Sequence, residues 1–74
     1  MPELPRLSGR EAIQVFESLG FVCVRQRGSH VVLRRGKVGC VVPMHKSLAI
    51  GTLRSAIRQA EITPDEFVTA FGGR

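Results

Sequence analysis

Residues 21–43 read FVCVRQRGSHVVLRRGKVGCVVP, and this stretch predicts a meander of three antiparallel strands. Runs rich in β-branched residues alternate here with glycine-containing turns, and the runs span 21–27, 30–35 and 40–43. β-branched residues favour strands, and glycine favours the tight turns between them. The centre of the chain is therefore expected to form a three-stranded antiparallel sheet.

Helices are expected on both sides of this meander. Ser8-Gly9-Arg10-Glu11 has the spacing of a capping box, and Gly20 supplies a helix stop. A second helix is expected to begin at Gly51-Thr52, and Thr63-Pro64-Asp65-Glu66 predicts a short third helix. The fold class is thus α+β, with the order α-β-β-β-α, helices on one sheet face and a short C-terminal helix. Residues 1–74 are expected to form one domain.

The composition favours an anionic partner and an intracellular location. Eleven Lys and Arg residues against six Asp and Glu residues give a net charge of +5, which is typical of nucleic-acid binding. Cys23 and Cys40 lie in apolar runs without metal-site spacing, so we expect reduced structural thiols. A bound metal and a cofactor are likewise not expected. No segment has the composition of a signal peptide or a membrane span, which predicts a cytoplasmic protein with no membrane partner.

Turn positions give a first estimate of which side chains share a sheet face. A tip at Lys37-Val38 would place His30 opposite His45, and a tip at Arg27-Gly28 would place Arg25 opposite His30. The face covered by helices would then carry Val22, Val24, Val31, Leu33, Val42 and Met44. The open face would carry Arg25, His30, Arg34 and His45, with Phe21, Cys23, Val32, Val41 and Pro43 among them. This register also predicts that Cys23 and Cys40 lie on opposite faces and do not pair.

Two histidines beside arginines on an open face suggest phosphodiester chemistry. One imidazole would take the proton of a ribose 2′-hydroxyl, and the other would protonate the departing 5′-oxygen. The candidate catalytic residues are His30 and, as a second acid or base, His45. The candidate residues for binding RNA or phosphate are Arg25, Arg27, Gly28, Ser29, Arg34 and Lys46.

Several sequence blocks also resemble one protein family. They are Leu7-Ser8-Gly9-Arg10-Glu11, Gly20-Phe21, Arg25-Gln26-Arg27-Gly28-Ser29-His30, Val42-Pro43-Met44-His45, Gly51-Thr52-Leu53-Arg54 and Ile57-Arg58-Gln59-Ala60. In this order and spacing the blocks resemble the HicA toxins of prokaryotic toxin–antitoxin pairs, also described as YcfA-like messenger-RNA interferases. Glu61 departs from the pattern, since the family usually has glycine after Gln-Ala, and we expect the second helix to end differently there.

The resemblance implies a fold like that of double-stranded-RNA-binding domains and a metal-independent endoribonuclease activity on messenger RNA. The family's catalytic histidine corresponds to His30 in Gly28-Ser29-His30, and a recurrent histidine after Val-Pro corresponds to His45. It also implies neutralisation by a HicB-type antitoxin that covers the active site.

Two other functions fit the same composition. A non-catalytic RNA-binding module of this fold would hold RNA through phosphate and 2′-hydroxyl contacts, with His30 as one contact among several. A protein-interaction subunit would dock an acidic partner on its basic face and would have no salt-sensitive affinity for RNA.

Overall fold

The computed structural model describes residues 4–73, and the predicted α+β order is confirmed. Residues 1–3 and 74, which the sequence analysis includes in its single domain, lie outside the described residues. Three strands form one antiparallel sheet in the order β1-β2-β3. The elements are α1 (Gly9–Ser18), β1 (Val22–Arg27), β2 (His30–Arg35), β3 (Val38–Pro43), α2 (Ile50–Gln59) and α3 (Pro64–Gly72).

The core lies between the helices and one face of the sheet. Phe16 of α1 is at its centre, with its ring centroid 5.5 Å from that of Phe21 and 5.3 Å from that of Phe67. Val31 and Leu33 of β2 are buried on the same side. Phe21, which the sequence placed on the open face, is only 2% exposed because the turn after α1 packs it back onto Phe16.

Side-chain hydrogen bonds mark where α1 and α3 begin. Ser8 accepts from the Glu11 amide while the Glu11 carboxylate accepts from the Ser8 amide, so the predicted capping box of α1 is confirmed. Thr63 and Glu66 form the same reciprocal pair at the start of α3. Each pair satisfies two of the amides that a helix start leaves without a partner.

The two hairpin turns differ from the predicted tips by one residue each. The loops are Gly28-Ser29 and Gly36-Lys37, with φ of 55° at Gly28 and 62° at Gly36. A positive φ at the first loop residue suits a type II′ turn, which requires glycine at that position. The tips predicted at Arg27-Gly28 and Lys37-Val38 are therefore wrong, because they do not put glycine first.

This change moves the strand pairing by two residues but leaves most side chains on the sheet face that the sequence predicted. His30 lies opposite Arg27 on β1 and Pro43 on β3, whereas the sequence analysis paired it with Arg25 and His45. A shift of two residues leaves each side chain on its original face. Buried Cys40 and Val42 confirm the covered face of β3.

A bulge in β1 causes the remaining errors. The register shifts between Cys23 and Arg25, so Cys23 lies opposite Leu33 and Val22 opposite Arg34. Such a shift moves the preceding residues to the other face. Val22 and Val24, predicted to be covered, are 62% and 54% exposed.

The two cysteines therefore share the helix-covered face, although the sequence placed them on opposite faces. Both are free, since they lie on the outer strands with β2 between them. Burial raises the pKa of the Cys40 thiol to about 11, so Cys40 stays protonated at neutral pH. Cys23 is exposed and lines a concavity with residues of α1.

No helix within residues 4–73 combines the length and the apolar composition needed to cross a membrane.

Helices α1 and α2 end in the same motif, and Glu61 occupies the position that favours glycine. After α1, Gly20 has φ of 97°, its amide donates to Glu17 O, and the next amide donates to Phe16 O. After α2, Glu61 has φ of 57°, its amide donates to Arg58 O, and the Ile62 amide donates to Ile57 O. Both are Schellman ends, so the expectation that Glu61 changes the end of α2 is wrong.

We expect Glu61→Gly to raise the free energy of unfolding by about 1 kcal/mol, because glycine adopts a positive φ without the strain of a Cβ. Urea denaturation followed by circular dichroism measures this change. Glu17→Gly, the same substitution in an exposed turn of α1, should instead lower stability by about 1 kcal/mol. An equal loss for both variants would contradict the role assigned to the Glu61 backbone.

Candidate active site

The open face of the sheet carries the glycine-serine-histidine turn and three of the predicted arginines. His30 is the first residue of β2, directly after the Gly28-Ser29 loop, and its side chain is exposed. Arg27 lies opposite His30, and Arg25 lies opposite Val32 on the same face. Since alternate residues of a strand share a face, Arg34 also belongs to the open face.

His45 reaches this region from a loop rather than from β3. Strand β3 ends at Pro43, and His45 follows two residues later with an exposed side chain. The Met44 amide donates to Ser29 O at 2.6 Å, which joins the start of this loop to the turn before His30. The two histidines are thus not cross-strand partners, but their backbones are linked through one short hydrogen bond.

The first residue of α1 and the segment before it bind the other side of this loop. The Gly9 amide donates to His45 O at 2.8 Å, and the Leu48 amide donates to Leu7 O at 2.8 Å. The backbone of Gly9 lies so close to β3 that a Cβ there would overlap the carbonyl oxygen of Pro43. Glycine at this position therefore permits the contact that places His45.

Both imidazoles line one cleft of about 470 Å³ between the open face and α2. Helix α2 lines the other side with Gly51, Thr52, Ser55 and Gln59, while the sheet and the loop after it contribute His30, Val41, Pro43 and His45. Two imidazoles on one concave surface could both exchange protons with a ligand bound there.

The remaining predicted phosphate-binding residues lie around this cleft. Gly28 and Ser29 form the exposed turn before His30, and Ser29 contributes its carbonyl to the loop that carries His45. Lys46 is exposed and lines a neighbouring concavity with Ser8, Arg10, Met44 and His45. Arg25, Arg27 and Arg34 belong to the open face outside the cleft lining.

Charge is strongly segregated along the chain. Residues 18–60 contain no Asp or Glu, and the acidic residues with described positions belong to α1, α3 and the turn before α3. Within residues 4–73, Arg25, Arg27 and Arg34 have no carboxylate partner. Their guanidinium groups are therefore available to an anionic ligand.

Arg35 has a different role from the open-face arginines. Its guanidinium donates to Leu19 O at 2.8 Å and lies over the Phe21 ring, 4.8 Å from the centroid. Arg35 therefore places a positive charge at the C-terminal end of α1, where the helix dipole favours a cation.

Sequence reasoning missed the contribution of α2 to the cleft. Thr52, Ser55 and Gln59 are spaced by three and four residues, which places them on one helical face opposite the buried Leu53 and Ile57. That spacing is a readable signal, but a polar helical face is usually solvated. Arg10, at the start of α1 beside Lys46, was also not predicted.

No three histidine, cysteine or carboxylate side chains gather within residues 4–73 in a way that could hold a metal ion.

The comparison with protein families identifies a match over most of the chain. The family model described as the HicA toxin of bacterial toxin–antitoxin pairs matches residues 9–62, which include α1, the sheet, the histidine loop and α2. The chain belongs to the HicA toxin family. It is thus the toxin of a toxin–antitoxin pair, as the sequence blocks predicted. A search of curated proteins found no match to this HicA chain.

We expect Gly9→Ala to lower the free energy of unfolding by about 1–3 kcal/mol, because the new methyl group must displace the Pro43 backbone. Thermal denaturation of both proteins measures the change. Gly51→Ala is the matched control: a Cβ at Gly51 meets no atom within 4 Å, so alanine in this helix should be neutral or stabilising. Equal stability of Gly9→Ala and the parent would contradict the close contact.

Proposed function

We propose that this HicA toxin is an endoribonuclease that cuts messenger RNA in the cytoplasm with His30 and His45 as its acid–base pair. The observation that carries the proposal is the presence of both imidazoles on one cleft beside an acid-free, arginine-rich sheet face. Neutral imidazole accepts a proton and imidazolium donates one near neutral pH, so two histidines supply both roles of the reaction.

The proposed reaction is an internal transfer at the scissile phosphate. One imidazole removes the proton of the ribose 2′-hydroxyl, whose oxygen attacks the adjacent phosphorus. The bond from phosphorus to the 5′-oxygen breaks, and the second imidazole protonates that oxygen. The products carry a 2′,3′-cyclic phosphate and a 5′-hydroxyl, and no metal or cofactor takes part.

The arginines have a separate role in this proposal. Arg25, Arg27 and Arg34 bind the RNA backbone along the open face, where guanidinium groups pair with phosphate oxygens. Gly28 and Ser29 let the RNA backbone approach His30 closely, and Lys46 extends the positive surface beyond His45.

The positive charge of the open face also suggests how an antitoxin would bind. We propose a HicB-type antitoxin that covers the cleft and presents acidic or phosphate-like groups to the open-face arginines. An occupant of this surface excludes RNA by direct competition.

We expect His30→Ala to lower the cleavage rate at least 100-fold, because it removes one of the two proton-transfer groups. The assay measures single-turnover cleavage of a labelled RNA in excess EDTA, with circular dichroism to show that the exposed substitution leaves the fold intact. His45→Ala should cause a loss of similar size.

Each alternative gives a different result in that assay. Full activity of folded His30→Ala would refute the assignment of His30, and full activity of His45→Ala would leave His30 without its proposed partner. Retained RNA affinity without cleavage by the parent would identify a non-catalytic RNA-binding module. A substrate with a 2′-deoxyribose at the cut site should resist the parent, because the attacking oxygen is absent.

We expect Arg25→Gln, Arg27→Gln and Arg34→Gln each to weaken RNA binding and to reduce the slope of log Kd against log salt by about 0.7, the value per phosphate contact on a single strand. Fluorescence anisotropy with a non-cleavable 2′-deoxy analogue measures the slope. Arg58→Gln is the matched control, since Arg58 borders Ile62 and Pro64 away from the cleft. Equal effects at Arg58 and at the open face would argue against a localised RNA site.

A further inference from the structure

The α2 side of the cleft contains a directed chain of hydrogen bonds. Strand β3 has β2 on one edge only, and on its other edge the Val41 amide donates to Gln59 Oε1 at 3.0 Å. Gln59 Nε2 donates in turn to Ser55 Oγ at 3.3 Å. All three residues line the cleft that contains both histidines.

The direction of this chain follows from the first bond. A backbone amide only donates, so the Gln59 atom that faces Val41 is the carbonyl oxygen and the other is the NH₂ group. The NH₂ group has no acceptor capacity, so Ser55 Oγ accepts the second bond. The hydroxyl proton of Ser55 is therefore left to donate elsewhere.

Nothing in the described protein takes that proton. Within residues 4–73 the Ser55 side chain makes no hydrogen bond other than the one from Gln59. Ser55 is half-buried and borders the cleft, so an acceptor on a cleft ligand is the available partner.

The cleft lining also needs such a donor. No Lys or Arg is among its eight described lining residues, although the attacked phosphate gains negative charge in the transition state. Both imidazoles are engaged in proton transfer at the 2′ and 5′ oxygens. The non-bridging phosphate oxygens are left to neutral donors on α2.

We propose that the Ser55 hydroxyl donates to a non-bridging oxygen of the scissile phosphate and that Gln59 orients it for this contact. Ser55 is then a catalytic residue, and Gln59 is a positioning residue that acts through it. This inference rests on the proposed ribonuclease function. The three bonds polarise one another, which strengthens the terminal donor.

One substitution at Gln59 should reverse only the second hydrogen bond, the one between residue 59 and Ser55. In Gln59→Glu the carboxylate still accepts from the Val41 amide, so β3 stays attached to α2. The second carboxylate oxygen only accepts, so the Ser55 hydroxyl turns toward it and no longer donates into the cleft. Ser55→Ala removes the donor outright.

We expect Ser55→Ala and Gln59→Glu each to lower the single-turnover rate at saturating RNA by about 100-fold, the lower end of the range for loss of one oxyanion donor. Because both act on one contact, the double variant should be no slower than the slower single variant. Ser47→Ala, in an exposed loop position outside the cleft, should cleave at the parent rate.

Phosphorothioate substrates separate direct contact from a structural role. Sulfur is a weak acceptor, so its substitution at one of the two non-bridging positions should slow the parent about tenfold more than at the other. Ser55→Ala and Gln59→Glu should lose this difference between the two diastereomers. Circular dichroism and urea denaturation establish that both variants are folded.

The outcomes distinguish the two proposals. Cleavage by the parent with an unchanged rate for Ser55→Ala would overturn the Ser55 contact and leave the ribonuclease proposal intact. A slower Ser55→Ala that keeps the diastereomer difference would also overturn it, because the loss would then be structural. Absence of cleavage by the parent would overturn the ribonuclease function and the Ser55 contact with it.

Discussion

The positive backbone angles of Gly28 and Gly36 determine the register of all three strands, and the site depends on that register. A glycine at the first position of each two-residue loop aligns Arg27, His30 and Pro43 across the sheet. A slip of one residue would exchange the two faces and bury His30 against the helices. The turn chemistry thus decides that the imidazole faces the cleft.

A second constraint acts on the loop after β3. Two backbone bonds, Gly9 to His45 and Leu48 to Leu7, attach this loop to the segment that enters α1. The same segment contains the Ser8 cap of α1, and Leu7 is buried in the core. The position of His45 is therefore coupled to the packing of the helix and not only to the sheet.

The parts of the fold that depend on neighbouring residues were predictable from the sequence. The Ser8–Glu11 and Thr63–Glu66 boxes each involve residues three apart, and the strands follow from β-branched runs. The pairing of the strands was harder to predict, because an error of one residue in the position of a turn shifts the cross-strand partner of His30 by two residues. The bulge at Val24 carries no signal, since Val-Cys-Val is compatible with either register.

Only the side of the cleft formed by the sheet and the loop after it was predictable from the sequence. Gly28-Ser29-His30 and the following His45 are marked by residue type, and the structure brings both histidines to one cleft. The α2 half consists of Thr52, Ser55 and Gln59, whose polar side chains resemble any solvated helix face until the tertiary structure is known. Glu61 shows the reverse case, in which a residue departs from the family pattern and the backbone keeps the conformation that glycine would adopt.

The separation of the carboxylates of α1 and α3 from the open-face arginines Arg25, Arg27 and Arg34 affects how this molecule approaches a polyanion. Its extents are 31 × 26 × 20 Å, so charges on opposite sides are separated by more than the Debye length of about 8 Å at physiological ionic strength. An RNA at the open sheet face experiences the arginines there, while the carboxylates of α1 and α3 are screened. At lower salt, where screening is weaker, the same asymmetry gives the protein an electric dipole. In the field of a nucleic acid this dipole turns the protein so that its open sheet face makes contact first. Charge segregation thus orients the encounter as well as strengthening the contact.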